Sequence, residues 1–243
     1  MNSGPMMYEG KAKKIFSLKD KPDCVLVEFK DSLTAFNAQK KGQFAAKGEL
    51  NRDIATLIFK FLGKKGVSHH WVEDVGPRSM VCKQVTIIPL EVVVRNRLAG
   101  STAKKFNIEE GKQLDAPLVE FYFKDDALGD PFLSDDQALM LKTVSKRGEL
   151  DQLREQALKV NAQLKELFKE IGIDLVDFKI EFGRTPKGEL LLADEISPDC
   201  CRLWDLKTGE KMDKDRFRRD LGNVEESYRE VWQRLNTRWG NEL

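Results

Sequence analysis

Histidine is nearly missing from this sequence: two occur in 243 residues, His69 and His70. A Ser-His-Asp triad or a histidine-built zinc site draws on more than that. With no acidic or thiol partner next to them, the two read as a surface or strand-edge pair beside Trp71. Cysteine is scarce as well. Cys24, Cys82, Cys200 and Cys201 follow neither a zinc-ligand spacing nor a disulfide framework. No apolar run approaches the roughly 20 residues that span a bilayer, and residues 1–7 carry no apolar stretch of the signal-peptide kind. The expectation is a cytoplasmic protein with reduced thiols and no membrane partner. Charge of one sign is also lacking, because 41 Lys and Arg stand against 40 Asp and Glu, a formal charge of +1. No global field recruits nucleic acid, and positive charge acts only where the chain concentrates it. What remains for chemistry is carboxylates, lysine, arginine and a bound cofactor.

What is present is a globular composition, 41% hydrophobic and 33% charged, long enough for a sizeable core in one or two domains. Residues 13–18 and 24–29 alternate or run apolar around a polar turn and read as strands. Leu50, Ile54, Leu57, Ile58, Phe61 and Leu62 form one stripe of a helix over 48–62, which Gly63 and Gly66 end. Strands are expected at 79–85, 90–98 and 119–124. Leu153, Ala157, Val160, Leu164, Leu167 and Ile171 mark a long amphipathic helix closed by Gly172. Phe217, Leu221, Val224, Tyr228, Val231 and Leu235 mark a second, with Asp213 or Asp215 as its cap. Between them, 175–182 and 189–197 read as a hairpin joined by 183–188. Strands and helices mix without strict βαβ alternation, which favours α+β. A soft boundary falls near 83–89, giving a β-rich unit over 1–85 and a larger α+β unit over 86–243 that ends in a helix.

Four constellations carry chemistry. In Tyr8-Glu9-Gly10-Lys11-Ala12-Lys13-Lys14, glycine and alternating lysines before a strand can lay N–H and ammonium groups along a polyphosphate, although the segment alone reads more readily as a solvated basic turn. The pattern is not a Walker A loop. In the segment 89–101, Glu91, Val93, Arg95 and Arg97 share a strand face, and Gly100 precedes Ser101, which could cap a helix through Lys104 and Lys105. Such a strand end suits a phosphate or carboxylate, while an edge strand charged against aggregation is the alternative. In 175–183, Asp177, Lys179 and Glu181 oppose an apolar face, and Asp194-Glu195 follows the apolar run 190–193. Carboxylates on paired strands provide the hard oxygens that Mg²⁺ on ATP phosphates requires. Glu181 and Asp194 share a face only if opposed residue numbers sum to an odd number, as with 179 opposite 194. Finally, Pro198 ends a strand, which places Asp199 and Arg202 in a loop suited to substrate contacts. The paired cysteines pack rather than react, and Trp204 reads as a core anchor.

The stretches YEGKAKKIF, IPLEVVVRNRLAGS, LVDFKIEFG and DEISPDCCRLWD, followed by KMDKDRFR, resemble the succinocarboxamide synthases of purine biosynthesis in order and spacing. The resemblance runs from near residue 8 to about 220. It implies an ATP-grasp-like fold with ATP between a β-rich lobe and a larger one. It also implies an ATP-dependent ligase, a homodimer, that joins carboxyaminoimidazole ribotide to L-aspartate. On its motifs, Gly10, Lys11, Ala12 and Lys13 match the phosphate loop, and Lys83 and Ile87 the base region. Glu181 and Asp194 match the Mg²⁺–ATP carboxylates. Arg95, Ser101, Asp177, Lys179, Asp199 and Arg202 match positions that hold the ribotide. Asn37 stands where some members carry Asp, and Cys200-Cys201 where some carry Gly-Ser. The implied chemistry is conversion of a carboxylate into an acyl phosphate, with Lys11, Lys13 and Lys179 neutralising charge on the transferring group, followed by amine attack. Two rivals remain at this stage. One is a small-molecule kinase, because Asp177, Lys179 and Gly183 also resemble inositol-phosphate kinases; the other is a nucleotide-binding regulatory module without turnover.

Overall fold

Alternating or apolar runs over 13–18 and 24–29, separated by a polar turn, favour a strand pair, and the computed structural model, which describes residues 2–35 and 39–243, forms it at the expected ends. In chain order the first elements are β1 (Ser3–Glu9), β2 (Lys13–Leu18), β3 (Cys24–Phe29), β4 (Ser32–Ala35), β5 (Lys40–Gln43) and α1 (Lys47–Lys64). They are followed by β6 (Trp71–Val75), β7 (Ser79–Lys83), β8 (Thr86–Ile87), β9 (Leu90–Arg97), α2 (Gly100–Lys105) and β10 (Gln113–Phe123). Then come β11 (Phe132–Leu133), α3 (Asp135–Met140), α4 (Arg147–Glu170), β12 (Ile173–Ile180), β13 (Phe182–Arg184) and β14 (Leu190–Leu192). The chain closes with β15 (Cys201–Asp205), α5 (Asp215–Arg218) and α6 (Val224–Trp239). Strands and helices are mixed, and a helix ends the chain, as expected.

One antiparallel sheet runs β1-β2-β3-β7-β6, and a second runs β11-β10-β9-β12-β15. A three-stranded sheet, β14-β13-β8, bridges the chain between them, and β4 pairs with β5. Helix α1 buries Ile54, Ile58, Phe61 and Leu62 against the first sheet, while α4 buries Leu153, Val160, Leu164 and Leu167 against the second. These stripes belong to one continuous core with Val27, Phe29, Val92, Val94 and Phe178. A reciprocal amide pair, Asn96 and Asn161 (2.9 Å each way), is buried between β9 and α4. Asn96 also donates to Leu175 O at 3.0 Å, so α4, β9 and β12 share one fixed register. Helix α6 returns to α1, where Phe61 and Trp239 meet edge to face at 5.0 Å.

Three expectations change. The residues from 175 on do not pair with 189–197: β12 inserts between β9 and β15, and only the short β13 pairs with β14. The C-terminal stripe splits into α5 and α6, because Asp220, Gly222 and Asn223 take positive φ. Asp213 serves the backbone ahead of α5, accepting from Leu203 N (2.8 Å) and Asp215 N (2.7 Å), while Lys214 occupies the cap position. Trp204 is no core anchor. It is half-buried under Lys211, whose Nζ lies 4.2 Å from its ring centre, since the inward positions of β15 are Cys201, Leu203 and Asp205.

Candidate active site

Between the first sheet, the second sheet and the segment after β14 lies a cleft of about 1040 Å³. One wall is apolar, built from Ile15, Val25, Val27, Met80, Val85 and Ile87. The opposite wall is charged. Gly10, Lys11, Ala12, Lys13, Lys83, Ile87, Arg95, Ser101, Asp177, Lys179, Glu181, Asp194, Asp199 and Arg202 all line this single cavity. Asn37 lies outside the described residues.

The turn from β1 to β2 is closed by Gly10 N–H to Lys13 O (2.8 Å), which puts Lys11 and Lys13 on the cleft rim. Lys11 pairs with Asp126 at 2.7 Å. Lys13 reaches into the charged wall and bonds both Asp194 and Glu195. Lys179 Nζ bridges Glu181 (2.9 Å), Asp194 (3.1 Å) and Glu91 (3.3 Å), and Lys124 Nζ reaches Glu181 at 2.6 Å. Three ammonium groups thus interleave four carboxylates. Burial disfavours each ammonium, but Asp194 and Glu195 outweigh it at Lys13, as do Glu181, Asp194 and Glu91 at Lys179, and both pKa values rise. Burial would also raise Asp194, yet Lys13 and Lys179 hold it well below the carboxylate range; burial and the Asp194 charge push Glu195 up.

The register differs from the one the shared-face argument needs. Phe182 opposes Leu192 and Gly183 opposes Leu191, pairs whose numbers sum to an even value, so regular strands would put Glu181 and Asp194 on opposite faces. Both residues escape the rule. Glu181 sits in the break between β12 and β13, Asp194 lies two residues past the end of β14, and the two carboxylates meet across Lys179 Nζ.

The far end of the cleft is built of guanidinium groups. Arg95, buried on β9, gives Nε to Glu120 (2.7 Å) and Nη1 to Asp177 (2.6 Å). Arg202 on β15 gives Nη1 to the same Asp177 (2.9 Å) and Nε to Asp215 (2.9 Å). Ser101 lies inside the first turn of α2, whose cap position is Ala99, so it does not cap the helix as expected. Gly100 has φ 62°, and a Cβ there would lie 2.8 Å from Arg202 Cζ, so glycine suits both the turn and the close approach of the guanidinium. Asp199 is fully engaged. Lys47 Nζ (2.5 Å) and Asn51 Nδ2 (3.0 Å) bond one oxygen, and the Tyr228 hydroxyl (2.7 Å) bonds the other. Burial notwithstanding, Lys47 and Lys214 keep its pKa low.

Several cleft groups escaped the sequence reading. His70 sits at a strand edge, just ahead of β6, but is half-buried in the cleft wall, where burial and the Lys13 charge push its pKa down to about 3. Lys47 fell just ahead of the helix expected over 48–62, Tyr228 stood in a helical stripe that looked purely structural, and no local signal in α1 or α6 sets them apart. Lys124, Glu91 and Glu195 were visible as charges beside apolar runs, a signal too common to single them out. Cys200 and Cys201 pack as expected: Cys200 Sγ accepts Ser197 N–H at 3.2 Å, and Cys201 is buried with its thiol pKa raised by burial.

A cleft with one apolar wall, a lysine–carboxylate lattice and a guanidinium pocket has the chemistry of a site for anionic small molecules. The family model for SAICAR synthetase matches residues 6–235. A phosphoribosylaminoimidazole-succinocarboxamide synthase of Wolinella succinogenes is 53% identical over 235 residues, 97% of this chain and 99% of that one. The crystal structure of such a synthase from Ehrlichia chaffeensis superposes with a TM-score of 0.92 at 45% identity, covering 96% of this chain and 98% of that one. A SAICAR synthetase solved in complex with ADP gives 0.92 at 43% identity, with the same coverage. This chain belongs to the SAICAR synthetase family.

Proposed function

We propose that the protein is an ATP-dependent carbon–nitrogen ligase of purine biosynthesis, condensing carboxyaminoimidazole ribotide with L-aspartate to give SAICAR, ADP and phosphate. The observation that carries this reading is the convergence of the phosphate-loop lysines and the Glu181/Asp194 pair with the Arg95/Arg202 pocket in one cleft. The nucleotide base takes the apolar wall near Lys83 and Ile87, and its phosphates run along Gly10, Lys11, Ala12 and Lys13. The ribotide takes Arg95, Ser101, Asp177, Lys179 and Arg202, with Asp199 shaping the loop beneath it. The two lobes, 1–85 and 86–243, then clasp ATP in an ATP-grasp-like manner, and the enzyme works as a cytoplasmic homodimer.

Glu181 and Asp194 also fit a divalent cation, because their oxygens are hard donors already facing cationic groups. Among the described residues no cluster of three or more His, Cys, Asp or Glu is placed to hold a metal alone, and Mg²⁺ held by two carboxylates and phosphate oxygens needs none. When bound there, Mg²⁺ supplies charge neutralisation for the polyphosphate.

The chain's own groups account for the rest. A carboxylate resists amine attack because oxide is a poor leaving group, and transfer of the γ-phosphoryl group of ATP onto it gives a mixed carboxylic–phosphoric anhydride, an acyl phosphate, with phosphate as the leaving group. The arginine pocket orients the ribotide so that its carboxylate faces the γ-phosphoryl group, an advantage of position. Lys13 and Lys179, held protonated by their carboxylate neighbours, stabilise charge on the transferring oxygens. The aspartate amine then attacks the acyl carbon and phosphate departs. The test is ADP release from Mg-ATP and the ribotide, with and without L-aspartate, while the product is followed by mass. Release that needs both substrates, with a matching succinocarboxamide, is expected. Phosphorylation of another small molecule would point to a kinase, and binding without turnover to a regulatory module.

A further inference from the structure

Asp215 does not line the cleft, yet it organises one end of it. Its carboxylate is buried, 1% exposed, at the first position of α5. Arg202 Nε donates to Oδ2 at 2.9 Å, Arg218 Nη1 donates to Oδ1 at 2.5 Å, and Arg219 Nη2 approaches Oδ2 at 3.5 Å. Arg202 and Arg218 both line the cavity, whereas Arg219 turns outward onto Glu110. One buried carboxylate therefore fixes two guanidinium groups that come from different elements, β15 and α5. Its own backbone N–H is held by the buried Asp213 at 2.7 Å, so the acceptor is itself immobilised.

A guanidinium has five donors in a rigid fork, and the groups spent on Asp215 decide which ones face the cleft. With Nε on Asp215 and Nη1 on Asp177, Arg202 sets Nη2 beside Gly100 at the start of α2. Pairing at both ends suppresses the alternative rotamers of a long side chain, and the entropy of ordering it is spent before substrate arrives. We infer that Asp215 is a positioning residue for the substrate's anionic group, acting through Arg202 and Arg218 rather than by touching the substrate. The inference rests on the ribotide reading of the arginine pocket.

The experiment is calorimetric titration of the ribotide, without ATP, into the parent protein, Asp215→Asn, Arg202→Lys and the double variant, alongside steady-state kinetics with all three substrates. Asp215→Asn should weaken the ribotide Kd and raise its KM by about tenfold, one charge-assisted interaction, with the KM for ATP unchanged. The double variant should fall short of the product of the two single effects, as expected for residues acting as a unit. An unchanged ribotide Kd, effects that multiply, or a parallel rise in the KM for ATP would overturn the inference, the last pointing to a merely structural role. If Asp215→Asn does not fold, Asp215→Glu carries the same test, since it keeps the charge but displaces it by one methylene. A parent protein that binds ribotide yet makes no product would instead sink the ligase reading and leave the Asp215 comparison standing.

Discussion

At the scale of single residues, the site works by pairing every buried charge. Lys179 contacts three carboxylates, so its loss removes both the cation proposed for the phosphoryl group and one of the lysine partners of Glu181 and Asp194. Lys179→Met is expected to lower kcat by about 10²–10³, the usual cost of one preorganised stabilising group, in an ADP-release assay under saturating substrates. Asp213 offers a different test. It is fully buried, and burial together with the Asp215 charge raises it from 3.8 to about 7, against two backbone N–H donors. The folded state thus holds a proton that the unfolded state sheds between about pH 4 and 7, and stability falls as pH rises through that window. Asp213→Asn keeps an acceptor and loses the charge. It should flatten that slope, melting above the parent at pH 8 and with a smaller difference at pH 5; equal slopes for the two proteins would contradict the assignment.

Elements set where those residues can stand. Gly100 lets α2 begin against Arg202, and Gly100→Ala combines a left-handed φ with a collision at the guanidinium. It should cost about 1 kcal/mol or more in urea unfolding and raise the ribotide KM, whereas an unchanged KM would mean that Arg202 relaxes freely. Helix α6 is tied to the cleft by one hydroxyl, Tyr228 to Asp199 at 2.7 Å. Tyr228→Phe should lose about 1–3 kcal/mol in the same measurement, because a charged acceptor inside the protein loses a donor. Legibility differed sharply between elements. β2, β3, α1 and α4 stood out because period-2 and period-3.6 stripes reflect one dominant interaction, burial of a face. The insertion of β12 between β9 and β15 could not be read in this way, since Val176, Phe178 and Ile180 satisfy a hairpin and a central strand equally. The break before α6 was hidden for a related reason: Leu221 continues the helical spacing, although Gly222 and its neighbours turn the backbone away.

For the whole molecule, the cleft exists because two sheets and a C-terminal helix close around residues far apart in the chain, such as Lys13 and Asp194, 181 positions apart. The residues matched to the family motifs could be collected from sequence because motifs are local, and all of these line the cavity, whereas Arg97, read on the same strand face as Arg95, pairs with Asp174 and does not line it. The partners Lys47, Asn51 and Tyr228 were not collected, because each is defined by a contact between distant segments and carries no local mark, and Asp215, although inside the stretch KMDKDRFR, was read only as a helix cap. The even register of β13 and β14 shows the same limit: strand alternation argued against a shared carboxylate face, and two irregular backbone positions restored it. The function proposed for the assembled cleft is to activate a carboxylate by phosphorylation before the amine attacks. The most direct measurement uses ribotide labelled with ¹⁸O in its carboxylate, Mg-ATP and L-aspartate, and follows the label by mass. The account requires one labelled oxygen to appear in inorganic phosphate. Label released into water, with phosphate unlabelled, would mean that the carboxylate was never phosphorylated.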